Sequence, residues 1–180
     1  MVENFNQEEF DKLADELRYV ITDMICRAGS GHLGGAVSLI ETILTLYYRV
    51  MDIEPENPQW ADRDRLVLSK GHAAPVLYCA LAYRGFFPKS WLKTLNADGT
   101  KLPSHADARS VPGIDMTTGS LGQGLSAACG MALAAMKRAD PSFNVTEFIG
   151  GARGAYEMIL MAFESGEIAE VRDFLSNDVY

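Results

Sequence analysis

A chain of 180 residues with a formal charge of −8 has the length of one ordinary domain and the composition of a soluble globular protein. The acidity argues against nonspecific nucleic-acid binding through a basic face, and no apolar run reaches membrane-spanning length. The acidic, polar start MVENFNQEEF does not read as a secretory signal, and Cys26, Cys79 and Cys129, scattered without metal-type spacing, read as three buried thiols in a reducing, cytoplasmic setting.

Residues 8–27 predict an amphipathic helix, because Phe10, Leu13, Leu17, Val20, Ile21 and Met24 recur at three- and four-residue steps. Gly29 is its expected stop. A second helix is expected over residues 38–51, with Ser38 and Glu41 as a capping box and an almost all-round apolar surface that implies burial. After a polar loop with Pro55 and Pro58, Arg65–Ser69 (RLVLS) reads as a strand. A small-residue helix follows over residues 73–83, ending at Gly85, and residues 90–95 suggest a short helix. From Asn96 to Gly119 the chain is loop-like, and a loop of that length is usually functional or disordered. The stretch GSLGQGLSAACGMALAAM, beginning at Gly119, predicts a helix to about Lys137. At Asp140–Pro141 the character changes. Asn144 and Glu147 suit the cap of a new helix, although residues 144–149 also read as a possible strand. Phe148, Ala152, Ala155, Ile159 and Phe163 mark the face of that helix, Gly166 its end, and Ile168, Val171 and Leu175 a further short helix.

The three histidines all sit in loop or turn settings: SGHLGG (His32), SKGHAA (His72) and LPSHAD (His105). An imidazole there can donate to a phosphate or hydroxyl and can carry a proton near neutral pH. Gly119, Gly122 and Gly124 either make a tight turn with close helix packing or present backbone N–H groups to an anion at a helix start. Their G-x-x-G-x-G spacing is neither the dinucleotide fingerprint nor the ATP-type loop. Asp98 and Asp107 lie in the long loop, and Glu147, Glu157, Glu164, Glu167 and Glu170 read as a solvated face. No carboxylate set for a metal emerges.

Taken together, AGSGHLGGAVSLIE, DRLVLSKGHAAPVLYCAL and GTKLPSHADARSVPGIDMTTGSLGQGLSAACGMALA resemble the N-terminal, thiamine-diphosphate-binding part of transketolase. The likeness covers about residues 7–140 and is greatest to the small subunit of two-chain transketolases. It implies an α/β fold, helix-rich and truncated, with a short parallel sheet. It implies transfer of a two-carbon ketol unit between sugar phosphates using thiamine diphosphate and Mg²⁺. It implies an oligomer with a complementary C-terminal, pyrimidine-binding subunit, and no nucleic acid or membrane as partner. His32 and His105 would contact substrate hydroxyls or the thiazolium region, and His72 the diphosphate. Gly119 and Leu121 would meet the cofactor through their backbone, with Gly122 and Gly124 allowing close approach. Ser120 stands where many members have Pro.

One departure bears on the metal. The family holds Mg²⁺ and diphosphate with Gly-Asp-Gly and an Asn roughly thirty residues later, whereas this chain has FIGGARGAYE. Alignment places Gly151 at the metal aspartate and Arg153 near the acidic residue, and no later Asn fits. The tail from Phe148 to Tyr180 resembles the helical opening of the import-motor anchor domain of the mitochondrial presequence translocase and its bacterial relatives. The expected organisation is therefore an incomplete cofactor-binding domain over 1–140 and a helical tail over 141–180, joined near residues 140–146, and a chain so built is expected to be inactive by itself. A fusion, a disrupted frame and a chimera all fit such a join, and the alternative to an enzyme half is an interaction protein that uses the tail.

Overall fold

A computed structural model describes residues 6–167, 169, 171 and 172. The chain forms two compact units, residues 1–128 and 129–180. Helix α1 spans Gln7–Ala28, α2 Leu33–Val37, α3 Ile40–Thr45, α4 Ala74–Tyr83, α5 Gln123–Ala139 and α6 Val145–Ser165. A π-helical turn, Leu46–Val50, continues α3, and 3₁₀ turns cover Gly71–Ala73 and Lys89–Thr94.

The ends of α1 are set by chemistry legible in its sequence. The Asn6 side chain accepts from the Glu9 N–H while Glu9 reaches back to the Asn6 N–H, and Gly29 closes the helix at φ 67°. Phe10, Ala14, Leu17, Ile21 and Met24 form the buried stripe. Helix α4 has no such stripe. All its residues from Ala74 to Ala82 are buried, as expected for a helix apolar on every side. It packs with α1 and α3, and Leu102, Val111 and Ile114 from the long loop complete the same core.

The expected second helix starts earlier and is broken. Ser38 does not cap it: its hydroxyl donates to the Gly35 carbonyl (3.1 Å) at the end of α2, and Glu41 pairs with Arg18 of α1 instead. The long loop is ordered by local bonds. Asn96, at φ 58°, donates its N–H to Leu102 O (3.1 Å) and its side chain accepts from Ser104 Oγ (2.9 Å).

No strand occurs among the described residues, so the expected short parallel sheet is corrected to a helix-and-loop arrangement. The reason lies in where the backbone of Arg65–Ser69 finds its partners. A strand exists only through a ladder with a neighbour. Here the Leu66 N–H donates to Asp115 Oδ2 (2.9 Å), Leu68 O accepts from Thr118 Oγ1 (2.8 Å), and Ser69 O accepts from the Gly122 N–H (3.3 Å). Side chains and a loop amide thus take three of the backbone groups that strand ladders would use. The possible strand at 144–149 is likewise helical, in α6. The thiol expectation holds for Cys79 alone: Cys26, off the buried stripe of α1, and Cys129, on α5, are exposed.

In the second unit, Asn144 Oδ1 accepts from the N–H groups of Thr146 and Glu147, and Gly166 ends α6 at φ 80°. Phe148 and Phe163 of the expected apolar face are 46% and 50% exposed, and Ala162 and Val171 are the buried residues among those described. The further helix marked by Ile168 and Leu175 lies outside the described residues. The GGARG segment is not a loop: Gly150, Gly151 and Gly154 are inside α6, and a Cβ on any of them would meet open space. Gly150→Ala and Gly151→Ala are therefore expected to stabilise the helix by about 0.5–1 kcal/mol each. Circular dichroism melting of the variants checks this, and a loss of helicity would contradict the helical placement.

Candidate functional site

Three segments far apart in sequence deliver the histidines to one place. His32 immediately precedes α2 without a side-chain capping bond, His72 lies in the 3₁₀ turn ahead of α4, and His105 lies in the long loop. The His72 ring lies edge-on to both others, with centroids 4.6 Å from His32 and 4.5 Å from His105, and His32 and His105 are 6.0 Å apart. His32 is exposed, while His72 and His105 are half-buried.

The packing beneath them leaves little freedom. Gly71 sits against Thr118: a Cβ there would fall 2.6 Å from Thr118 O and 2.8 Å from its Oγ1. Gly124 sits against the Ser69–Val67 segment, with a Cβ 2.7 Å from Ser69 Cα. Thr118, 3% exposed, donates its N–H to Ala106 O (3.1 Å) and its hydroxyl to Leu68 O. One buried threonine thus ties the stretch carrying His72 to the loop carrying His105. Tyr78 of α4 does the same from below. Its hydroxyl shares its proton between Pro103 O (2.8 Å) and His105 O (2.9 Å). Asp107 orders the next turn, accepting from Ser110 Oγ, the Arg109 N–H and Thr117 Oγ1, and the Ser110 bond leads in holding its carboxyl below the usual range.

The glycine loop makes a second wall. Gly119 lies 4.0 Å, measured from a Cβ position, from the His105 ring, and Gly122 adopts φ 87°. Leu121 is 67% exposed. The N–H groups of Ser120, Gly122, Gln123 and Leu125 are already bonded, to Gln123 Oε1, Ser69 O, Ser120 O and Gly122 O. Gly124 acts by bringing α5 onto Ser69, so its contribution is backbone packing under the site.

Lys70, Tyr78, Thr118 and Asp115 carry no motif signal of their own. Lys70 is flanked by one, in SKGH, and its ammonium lies 3.5 Å from Ser38 Oγ and 3.9 Å from a Cβ position on Gly35. A lone Tyr in an otherwise apolar helix is a usable signal, since its hydroxyl needs a partner when buried. Among the described residues, two polar atoms of this region are buried without a hydrogen-bond partner, Ser69 Oγ and His72 Nδ1. Orphaned buried donors and acceptors are uncommon in folded proteins, and each calls for a partner or a role.

Burial, then the neighbouring His72 and His32 imidazoles, holds the His105 pKa below the ordinary 6.5. The unfolded chain therefore binds the His105 proton more readily than the folded one. Its contribution to stability is intact above pH 6.5 and is lost as pH falls from there through the lower folded-state value. His105→Gln is expected to flatten the stability profile in that window, measured as denaturant midpoints at stepped pH, and an unchanged slope would contradict the coupling.

Among the described residues no group of three or more His, Cys, Asp or Glu side chains is placed to hold a metal ion, and no helix is long and apolar enough to cross a membrane.

Comparison with known proteins gives two matches in tandem. The family model for the transketolase thiamine diphosphate binding domain matches residues 10–150, and that for the Tim44-like domain matches residues 129–180. The chain is 56% identical over 128 residues to the 6-deoxy-6-sulfo-D-fructose transketolase subunit of Clostridium sp. (strain MSTE9), covering 71% of this chain and 46% of that protein. It is 37% identical over 135 residues to an apulose-4-phosphate transketolase subunit of Actinobacillus succinogenes, covering 74% of this chain and 49% of the relative. The chain thus spans about half the length of these curated relatives. Among solved structures, transketolase from Campylobacter jejuni superposes with a TM-score of 0.68 at 38% identity, over 74% of this chain and 21% of that one.

Proposed function

The chain belongs to the transketolase thiamine-diphosphate-binding family, and from that premise we propose that it is the N-terminal, cofactor-binding part of a two-chain transketolase. The observation that carries this reading is the meeting of His32, His72 and His105 on one surface beside the glycine loop. Two relatives are named as subunits, one for a sulfonated sugar and one for a sugar phosphate, which supports an anionic sugar as substrate class and a complementary chain as partner. The three cysteines are free, in keeping with a reducing, cytoplasmic setting.

The residues present fit part of the cofactor. The unpartnered Nδ1 of His72 and the unpartnered Ser69 hydroxyl are suited to a phosphate oxygen, and the Gly119 backbone lies against the His105 ring. When bound, thiamine diphosphate supplies the carbon nucleophile that carries a two-carbon unit between sugars. The chain's own groups bind and move protons. His105, held below the ordinary range, is neutral at pH 7 and can accept a proton from a substrate hydroxyl. His32, which is exposed, would donate to a second hydroxyl. Mg²⁺ does not fit: the aligned segment is helical and offers glycines and Arg153 where carboxylate oxygens are needed.

Reconstitution with the complementary subunit from the Clostridium relative's source tests the reading. Ketol transfer should need both chains, and His105→Gln should lower kcat/KM by roughly 10²- to 10⁴-fold, the usual scale for a general acid–base group. An inert pair, or a His105→Gln pair with full activity, would overturn it.

A second reading, an interaction role for the tail, is favoured by the exposure of Ile149, Tyr156, Met161 and Phe163 along α6. Loss of partner association on deleting residues 141–180 would support it, and unchanged association would exclude it.

A further inference from the structure

A cavity of about 410 Å³ opens in the first unit, lined by Trp91, Thr94, Asp98, Thr100, Lys101 and the adjoining backbone of residues 97–99. It has the size of a small-molecule site and shares no residue with the histidine and glycine-loop segments. Its frame is held by the chain's own bonds. Leu92, Leu95 and Leu102 of the same segment are buried and anchor it. The Asn96 N–H closes the loop onto Leu102 O, and the N–H groups of Ala97 and Thr100 bond Thr94 O and Ala97 O (3.0 Å each). Trp91 stacks on the buried Phe87, with ring centroids 5.1 Å apart and planes at 17°.

The polar groups of the lining are unequally satisfied. Thr94 Oγ1 donates to Trp91 O (2.7 Å), so the bond between the Thr94 and Thr100 hydroxyls (2.9 Å) uses the Thr100 proton. Thr100 Oγ1 in turn accepts from the Leu102 N–H (3.0 Å). Both hydroxyl protons are thus spent, while each oxygen keeps one acceptor position. Lys101 holds its ammonium 4.5 Å from the Trp91 ring centroid, and neither it nor Asp98 forms an ion pair among the described residues. Residues 84–104 carry Arg84, Lys89, Lys93 and Lys101 against Asp98 alone, in a chain whose formal charge is −8. The local field therefore favours an anion where the chain as a whole repels one.

From these observations we propose that the cavity binds a small sugar-like polyol carrying one anionic group. The ligand's hydroxyls donate to Thr94, Thr100 and Asp98, its anion meets Lys101, and its C–H groups lie against the Trp91 indole. A bare inorganic anion would satisfy the lysine and leave the acceptors unmet. This site does not depend on the function proposed above.

The chain has two tryptophans, Trp60 and Trp91, so its two indole N–H signals in NMR give a reporter and an internal control. The full chain is titrated with glucose 6-phosphate, with glucose and with inorganic phosphate. Glucose 6-phosphate should move the Trp91 signal along a saturable curve at about millimolar affinity or tighter and leave Trp60 in place. Glucose and phosphate alone should each bind at least roughly tenfold more weakly, since each meets only part of the lining. Lys101→Met, at an exposed position, should remove the preference for the phosphorylated sugar. The Trp91 response should persist in His105→Gln, which separates this cavity from the histidine surface. No movement of Trp91, equal movement of Trp60, phosphate binding as tightly as glucose 6-phosphate, or an unchanged affinity in Lys101→Met would overturn the proposal. Loss of the response in His105→Gln would also overturn it. An inert reconstituted pair would sink the proposed function and leave this result standing, so the two fail separately.

Discussion

Asp115→Ala is expected to destabilise the protein by about 3–5 kcal/mol, the scale for breaking a buried ion pair from one side. Asp115 and Arg63 pair with side chains only 4% and 8% exposed. Arg63 also donates to Pro58 O (2.7 Å) and Asp64 O (2.9 Å), so it is fixed in place and cannot swing out to water when its partner goes. The second carboxylate oxygen holds the Leu66 N–H, which begins the extended stretch leading to Ser69 and Lys70. Removing the side chain therefore leaves a buried guanidinium uncompensated and a backbone donor without its acceptor. A loss of this size is a large share of the roughly 5–15 kcal/mol that typically separates folded from unfolded domains. Denaturant midpoints measure it. Adding Arg63→Met to Asp115→Ala should recover part of the loss, because the unpaired charge is then gone. A single variant within about 0.5 kcal/mol of the parent would show that the pair is not buried as described.

Gly71→Ala is the second large effect. The added methyl would meet Thr118 O at 2.6 Å, its carbonyl carbon at 2.7 Å and its Oγ1 at 2.8 Å. Two of these atoms are backbone, and the third is held by its bond to Leu68 O. Neither side can yield by a rotamer change, so the cost belongs at the upper end of the roughly 1–3 kcal/mol typical of overpacking. The displacement would fall on Lys70 and His72 and would separate His72 from His105, so ligand affinity should drop together with stability. Gly34→Ala is the matched control. A Cβ on Gly34 meets nothing within 4 Å, and the change should be neutral or slightly stabilising. Equal melting temperatures for Gly71→Ala and the parent would contradict the close approach of residues 71 and 118.

The helices are legible in the sequence where a local rule decides them. The α1 stripe, the Asn144 cap, the Gly29 and Gly166 stops and the all-apolar α4 all follow from residues within a few positions of one another. Arg65–Ser69 misleads because its pattern is local while its pairing is not. Whether such an apolar run becomes a strand depends on a neighbour, and here Asp115, Thr118 and Gly122 take three of its backbone groups. Ser38 looks like a cap because Glu41 follows it at the right spacing, yet the chain is already helical at Leu33, and Arg18 claims the glutamate. The histidines are legible as candidates from their settings beside Gly and Ser. Their convergence is not, because it depends on Gly71 against Thr118, Gly124 against Ser69 and the Tyr78 hydroxyl under His105, contacts between segments distant in sequence. Lys101 is hidden for a related reason: an ammonium without a counter-charge is visible only once its surroundings are known.

The GGARG segment shows how a departure from a family pattern gains meaning in three dimensions. As sequence it marks a missing acidic motif. As structure it is the interior of α6, where a Cβ added to any of its glycines would meet open space. The overlap of the two family matches over residues 129–150 spans the latter part of α5 and the start of α6, the same stretch in which the character of the sequence changes.

If three histidines from separate segments form one diphosphate-facing site, side-chain NMR of the imidazoles during titration of the full chain with thiamine diphosphate tests it most directly. His32, His72 and His105 should shift along a single saturable curve, detectable even at about millimolar affinity. His72→Gln should also move the His105 pKa up toward 6.5, because the His72 imidazole contributes, after burial, to holding it down. Imidazoles that titrate independently of one another and do not respond to the ligand would contradict a shared site.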